Sequence, residues 1–189
     1  MDLNGMMPKI LHFSNQSEFY NALASAIEVK VQNAVSSRSF FRLALSGGKT
    51  PIPLYEILSV KKVPWSRGEV FVVDERYVPL DHEESNFHMI DETLLSRLSE
   101  KPKRSIFFDT SLSISDALAK YDQELRKLPE PFFDLVLLGL GADGHTASLF
   151  QECKISSDAL VAHTRTSNSE TSDRITITEK ALLSSREIF

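Results

Sequence analysis

The sequence predicts an α/β fold with a mostly parallel sheet, and three observations carry that expectation. Short apolar runs alternate with stretches of helical spacing, the order expected of parallel strands linked by helices. The run Leu135-Val136-Leu137-Leu138 is continuously apolar, as suits a strand buried on both faces. Three runs end in polar or glycine-rich segments, at Ser46, Asp74 and Gly139. Parallel strands would bring all three out at one edge of the sheet, where such folds bind ligands.

Taken in order, residues 10–13 fit a first strand. Ser14 or Asn15 suits the cap of a helix to about Val35, with Phe19, Leu23, Ala26, Ile27 and Val31 on its inner face. Residues 40–45 read as a strand that ends in Ser46-Gly47-Gly48-Lys49-Thr50-Pro51. A helix follows over about 51–58, where Pro51 fits the first turn because its missing N–H is harmless there. Residues 69–73 form another strand, closed by Asp74-Glu75-Arg76. A loop over 77–84 leads to a helix near 85–98, capped by Ser85 or Asn86. Residues 106–108 suit a short strand, and Ser113 or Ser115 caps a helix to about Leu128 that carries Leu118, Tyr121 and Leu125. The strand 133–138 comes next, and His145 falls at the start of a further helix. Beyond Phe150 the pattern weakens. Residues 159–162 and 174–178 suit strands, and 164–173, rich in Ser, Thr and Asn, suits an exposed loop. Trp65 lies in a turn-like segment and is expected to cover the edge of the core.

A chain of 189 residues, 42% apolar and 25% charged, suits one soluble domain that needs neither disulfide nor structural metal. The single cysteine, Cys153, excludes an internal disulfide and fits a reducing compartment. Residues 1–13 lack a basic segment followed by a long apolar one, so no secretory signal is expected. No apolar run reaches the length of a bilayer span. A cytoplasmic protein without membrane contacts is the expectation. The net charge of −5 lacks the basic footprint of a nucleic-acid partner, but leaves room for a local anion pocket.

Within this frame the segment Ser46-Gly47-Gly48-Lys49-Thr50-Pro51 offers inward-facing N–H groups and a helix start, a cradle for phosphate. A plain strand-to-helix turn explains it equally well. The GxxxxGK[ST] spacing of a nucleoside triphosphatase is absent. Asp74-Glu75-Arg76 reads as a solvated loop start or a local Asp–Arg pair. Its functional reading puts Arg76 on an anionic substrate and Asp74 on a hydroxyl or water. Gly139-Leu140-Gly141-Ala142-Asp143-Gly144 matches G-x-G-x-x-G, but too late in the chain for a dinucleotide fingerprint, and Asp158 downstream follows no clear strand. His145 stands after these glycines, with Asp143 two residues earlier to orient it, and is the candidate base. A lone histidine is more often structural, so the weight rests on its position. His82 and His88 fit a solvated loop leading to a helix. Metal-ligand spacings and the Gly-x-Ser-x-Gly elbow are both missing, so neither a metal nor a serine nucleophile is expected.

The segments LALSGGKTP, VFVVDERYVPLDHEESN, FDLVLLGLGADGHTASLF and DRITIT, in that order, resemble the 6-phosphogluconolactonases. The related glucosamine-6-phosphate deaminases share the DGH signature but follow it with a pattern like IAFNEP, where this chain has Thr146-Ala147-Ser148-Leu149-Phe150. The resemblance implies a Rossmann-like three-layer α/β/α sandwich. It also implies hydrolysis of 6-phospho-D-glucono-1,5-lactone to 6-phospho-D-gluconate in the pentose phosphate pathway, without a cofactor. A monomer is the expectation. Carried onto this chain, His145 becomes the general base, with Asp74 and Asp143 beside it. Ser46, Gly47, Gly48, Thr50 and Arg76 become substrate-binding positions, and this chain's own Lys49, Gly141 and Gly144 are expected to join them. Two local departures are Gln151, where the family usually has proline, and Lys49, where it usually has serine. The family also continues past the apolar Ile188 into a glycine-bearing turn with a lysine and a last helix, so a C-terminal strand and helix are expected to be missing here. The alternatives are a catalytically impaired sugar-phosphate binder and a deaminase-like isomerase; a dinucleotide enzyme ranks last.

Overall fold

The computed structural model of the protein describes residues 9–167 and 171–189. Part of the N-terminal segment read for a secretory signal, and residues 168–170 of the expected exposed loop, lie outside the described residues. Helix α1 (Gln16–Arg38) starts at Asn15, whose side chain accepts from the Glu18 N–H at 2.9 Å, while Glu18 reaches back to the Ser14 N–H. It ends at Ser39 in the left-handed conformation. Strand β1 (Phe41–Leu45) follows, then α2 (Ile52–Val60), β2 (Gly68–Val72) and β3 (Asp74–Arg76). Next come α3 (Asn86–Thr93), β4 (Arg104–Ile106), α4 (Ile114–Arg126) and β5 (Leu135–Val136). Strands β6 (Val161–Arg165) and β7 (Asp173–Ile177) and helix α5 (Glu179–Leu183) complete the described elements.

Four strands form the expected parallel sheet, in the order β4-β2-β1-β5. The alternation along them explains three layers. Leu43, Leu45, Val70, Val72 and Leu135 point to one face, where α1, α2 and α3 bury Ile27, Val31, Leu54, Leu58 and Ile90 against them. Ala44, Phe71 and Val136 point to the other, under α4 and the C-terminal elements. On α4, Ala117, Tyr121 and Leu125 recur every fourth residue on the buried side; Tyr121 stacks on Phe108 at 4.0 Å and its hydroxyl donates to the Val72 carbonyl at 2.8 Å. Residues 184–189 run parallel to 132–138, with bridges from Ser185 to Phe133 and from Ile188 to Val136.

A second sheet was not anticipated from the sequence. It is antiparallel, in the order β3-β7-β6. Asp74-Glu75-Arg76 is therefore a strand, not the start of a solvated loop, because β7 supplies its ladder partners from a hundred residues away. Thr164 and Arg165 belong to β6 and Asp173 to β7, so the expected loop over 164–173 is shorter than its composition suggests. Residues 10–13 are not a strand; Ile10 and Leu11 are exposed and unpaired among the described residues. The helix expected near 85–98 is α3 followed by a 3₁₀ turn at Leu95–Arg97, capped by Ser85.

Candidate active site

The three polar strand ends meet as the parallel order requires. β1 runs out into Ser46, β2 into Val73, and β5 into Gly139, all at the carboxyl edge. Val73 joins the two sheets, since its N–H donates to the Leu45 carbonyl and its carbonyl accepts from the Ile177 N–H, both at 2.9 Å. The next residue, Asp74, thus opens the antiparallel sheet directly above the edge of the parallel one.

Between Gly139 and Phe150 the chain forms a run of turns, not the helix expected to begin at His145. Its shape comes from local bonds. The Gly141 N–H donates to the His145 carbonyl at 2.8 Å, the Gly144 N–H to the Gly141 carbonyl at 2.9 Å, and the Thr146 hydroxyl to the Gly139 carbonyl at 2.8 Å. Gly144 has φ +86°. A Cβ on Gly141 would lie 2.4 Å from both Cε1 and Nδ1 of His145, so the glycine makes the room that the imidazole fills. The His145 Nδ1 contacts the Asp143 Oδ1, and the ring packs on Phe150 at 4.8 Å. The Asp143 carboxyl is held below its usual range, chiefly by that bond to His145.

Behind His145, Ser148 anchors the loop. Its hydroxyl donates to Asp74 Oδ2 at 2.6 Å, its N–H to the Thr176 hydroxyl at 3.4 Å, and its carbonyl accepts from the Thr164 hydroxyl at 2.8 Å. All four residues are buried. The tether explains Ala147, which stands at φ +51°, a strained region for alanine that the Ser148 contacts enforce. Burial pushes the Asp74 carboxyl up, while Ser148, Arg76, Arg174 and His145 pull it down.

Glu75 faces the opposite way and is fully buried. Its carboxylate accepts from the N–H groups of Asn86 at 2.6 Å, Phe87 at 2.8 Å and Arg76 at 2.8 Å, and from the Ser85 hydroxyl at 3.1 Å. It therefore binds the start of α3 to β3, where the helix dipole favours an anion. Burial nevertheless lifts it to about 7, against those donors and with the Asp74 charge adding to the rise. Between about 4.5 and 7 the folded protein keeps a proton here that the unfolded chain has lost. That contribution to stability is present below this window and declines as the pH rises through it, by up to roughly 1.4 kcal/mol per pH unit. Replacing Glu75 by Gln removes it. The melting temperature of the variant is expected to gain on that of the wild type between pH 5 and pH 7; a difference that stays constant over that range would refute the assignment.

The Ser46 loop lies beside β3. The Ser46 carbonyl accepts from the Tyr55 hydroxyl at 2.6 Å, and burial pushes the Tyr55 phenol well up. Gly48 has φ +89°, Lys49 and Thr50 are exposed, and the Thr50 carbonyl accepts from the Tyr20 hydroxyl at 2.8 Å. Asn86 wedges its amide against Gly47 and donates to the Asp74 carbonyl at 2.8 Å. Its Oδ1 is buried without a partner among the described residues. Arg76 gives Nη1 to the Glu84 carbonyl at 2.6 Å, and the local pair with Asp74, one of the two plain readings of this segment, is not formed among the described residues.

The structure thus brings His145, Asp143, Gly141 and Gly144 into one loop, fastens that loop to Asp74, and sets Arg76 on the same strand as Asp74. Ser46, Gly47 and Gly48 join them through Asn86. Sequence reasoning missed four buried residues, Glu75, Asn86, Ser148 and Arg174. For Glu75 the alternation Asp74/Glu75/Arg76 held a signal, since a strand sends the middle residue to the other face. Among the described residues there is no cluster of His, Cys, Asp and Glu that would hold a metal ion. No described helix is long and apolar enough to cross a membrane.

Comparison with known proteins adds to this geometry. The family model described as Glucosamine-6-phosphate isomerases/6-phosphogluconolactonase matches residues 14–189. A 6-phosphogluconolactonase of Thermotoga maritima is 38% identical over 176 residues, which span 93% of this chain and 80% of that protein. A 6-phosphogluconolactonase of a Nostoc species is 42% identical over 132 residues, 66% of this chain and 55% of the relative. The match therefore spans little more than half of the Nostoc protein. The crystal structure of the Thermotoga maritima 6-phosphogluconolactonase superposes with a TM-score of 0.83, covering 90% of this chain and 78% of that one.

Proposed function

Because the chain belongs to the family of glucosamine-6-phosphate isomerases and 6-phosphogluconolactonase, we propose that it hydrolyses 6-phospho-D-glucono-1,5-lactone to 6-phospho-D-gluconate, a step of the pentose phosphate pathway, with His145 as the base. The family is one of enzymes, and relatives matched along most of this chain are lactonases by name. The observation that carries the catalytic reading is the contact between His145 Nδ1 and Asp143 at the carboxyl edge of the parallel sheet. With Asp143 accepting from Nδ1–H, the neutral ring keeps its lone pair on Nε2, the nitrogen left for a water.

The chemistry then needs few parts. His145 takes a proton from the water as its oxygen attacks the lactone carbonyl carbon. The negative charge that develops on the carbonyl oxygen calls for loop N–H donors other than those of Gly141 and Gly144, which are engaged within the His145 loop. The tetrahedral intermediate collapses by breaking the bond to the ring oxygen, and protonated His145 returns its proton there. The Ser46-Gly47-Gly48 loop and Arg76 hold the phosphate, with Lys49 and Thr50 at its rim, so binding remote from the reacting carbon fixes its position. Asp74 acts through Ser148 to hold the His145 loop in register.

Proton release from freshly prepared 6-phosphogluconolactone, measured above the spontaneous rate, tests the proposal. Turnover is expected. A folded protein that binds 6-phosphogluconate without turnover would be a sugar-phosphate binder, and ammonia release from glucosamine 6-phosphate would move the chain to the isomerase branch; either result overturns the lactonase reading.

A further inference from the structure

Arg174 was not among the expected site residues, and β7 places it directly opposite Arg76 in the β3–β7 ladder. Residues directly opposite in an antiparallel pair share a face, and like charges so placed repel. Asp74 lies two residues from Arg76 on β3 and therefore on that same face. Neither guanidinium is within 4.0 Å of a carboxylate among the described residues. Arg76 donates to the Glu84 carbonyl, and Arg174 to the carbonyls of Thr171 and Asp173. The other buried or half-buried arginines behave differently, since Arg38 and Arg42 each have a carboxylate partner. Arg174 is only 6% exposed. A buried cation facing another cation, with carbonyls as its hydrogen-bond partners among the described residues, is costly for the folded state. Burial and the Arg76 charge both push its pKa down, and Asp74, Glu84 and Glu75 offset this only in part. The cost is offset when an anion of charge −2 enters between the two forks, because each guanidinium offers planar, paired N–H donors to phosphate oxygens.

We infer that Arg174 and Arg76 together form a paired-guanidinium clamp for the phosphate of the substrate, so that Arg174 determines selectivity for phosphorylated over unphosphorylated sugar lactone. The inference rests on the lactonase reading above and names a residue that reading does not use. The clamp stands on the sheet face that also carries Asp74, so the phosphate end and the His145 loop are held by one strand pair. The carbonyls that Arg174 already engages fix its planar head before the ligand arrives, which lowers the ordering cost of binding.

The test compares wild type, Arg174→Gln and Arg174→Lys on 6-phosphogluconolactone and on glucono-1,5-lactone, with calorimetric binding of 6-phosphogluconate and of gluconate alongside. Loss of one charged donor pair is expected to lower the selectivity ratio of kcat/KM, phosphorylated over unphosphorylated, by about 10- to 100-fold in Arg174→Gln. The loss should fall on KM more than on kcat, and the affinity for 6-phosphogluconate should fall by a similar factor. Arg174→Lys keeps the charge without the fork and should recover part of the ratio. An active wild type whose selectivity ratio is unchanged in Arg174→Gln would overturn the clamp and leave the lactonase reading intact. Equal losses on both lactones in Arg174→Gln, not recovered in Arg174→Lys, would make Arg174 a brace for the turn before β7 and overturn the clamp as well. A wild type that neither hydrolyses nor binds the phosphorylated compounds would overturn the lactonase reading and the clamp with it.

Discussion

His145→Ala is expected to lower kcat on 6-phosphogluconolactone by at least about 10²-fold, the low end for losing a general base. The fold should survive, because the ring is partly exposed and touches the loop itself, Asp143 and Phe150, not the main core. Asp143→Asn separates two contributions. It leaves the imidazole in place but replaces a carboxylate that holds the Nδ1 proton, so its loss should come through the tautomer and orientation of the ring. The KM should change little in either variant, since neither group is placed on the phosphate. A His145→Ala protein with near-normal turnover would remove the base from the mechanism.

Gly47→Ala should be the most damaging methyl group that can be added to the site. Its Cβ would stand 1.9 Å from both Cγ and Oδ1 of Asn86. Asn86 has no room to retreat, being 2% exposed and bonded to the Asp74 carbonyl. Either the loop rises or the amide leaves its place, and overpacking of this kind costs about 1–3 kcal/mol. Displacing the loop by about 1 Å is enough to cost roughly 10²-fold in kcat/KM through lost alignment. Shortening the obstacle in the double variant Gly47→Ala/Asn86→Gly should restore much of the thermal stability. A single variant with wild-type melting and kinetics would show that the wedge does not constrain the loop.

The parallel sheet was legible because its strands obey one rule. Residues 135–138, 70–73 and 43–45 are apolar on every position, and the polar residues that stop them stand at one edge. The pairing of Asp143 with His145 was legible from proximity alone. Three features were not. A three-residue strand such as β3 carries no periodic signal, and its charges look solvated until β7 is laid beside it. The Thr146-Ala147-Ser148-Leu149-Phe150 stretch has helix-compatible residues, yet Ser148 is drawn to Asp74 and Thr176, and that tertiary contact overrides local propensity. Arg174 sits in a segment that reads as an ordinary strand; its meaning comes only from facing Arg76.

The Ser148–Asp74 bond joins positions 74 residues apart, and Thr164 and Thr176 close around Ser148 from further along the chain. No contiguous piece shorter than the span from β3 to β7 contains the whole arrangement. For recombination between related genes this makes the site an inherited block. A crossover between β3 and the His145 loop would pair a carboxylate from one parent with a serine from another, and one between Ser148 and β7 would do the same to Ser148 and Thr176. Such chimaeras keep function only where both parents carry the same partners at these distant positions, however similar they are elsewhere.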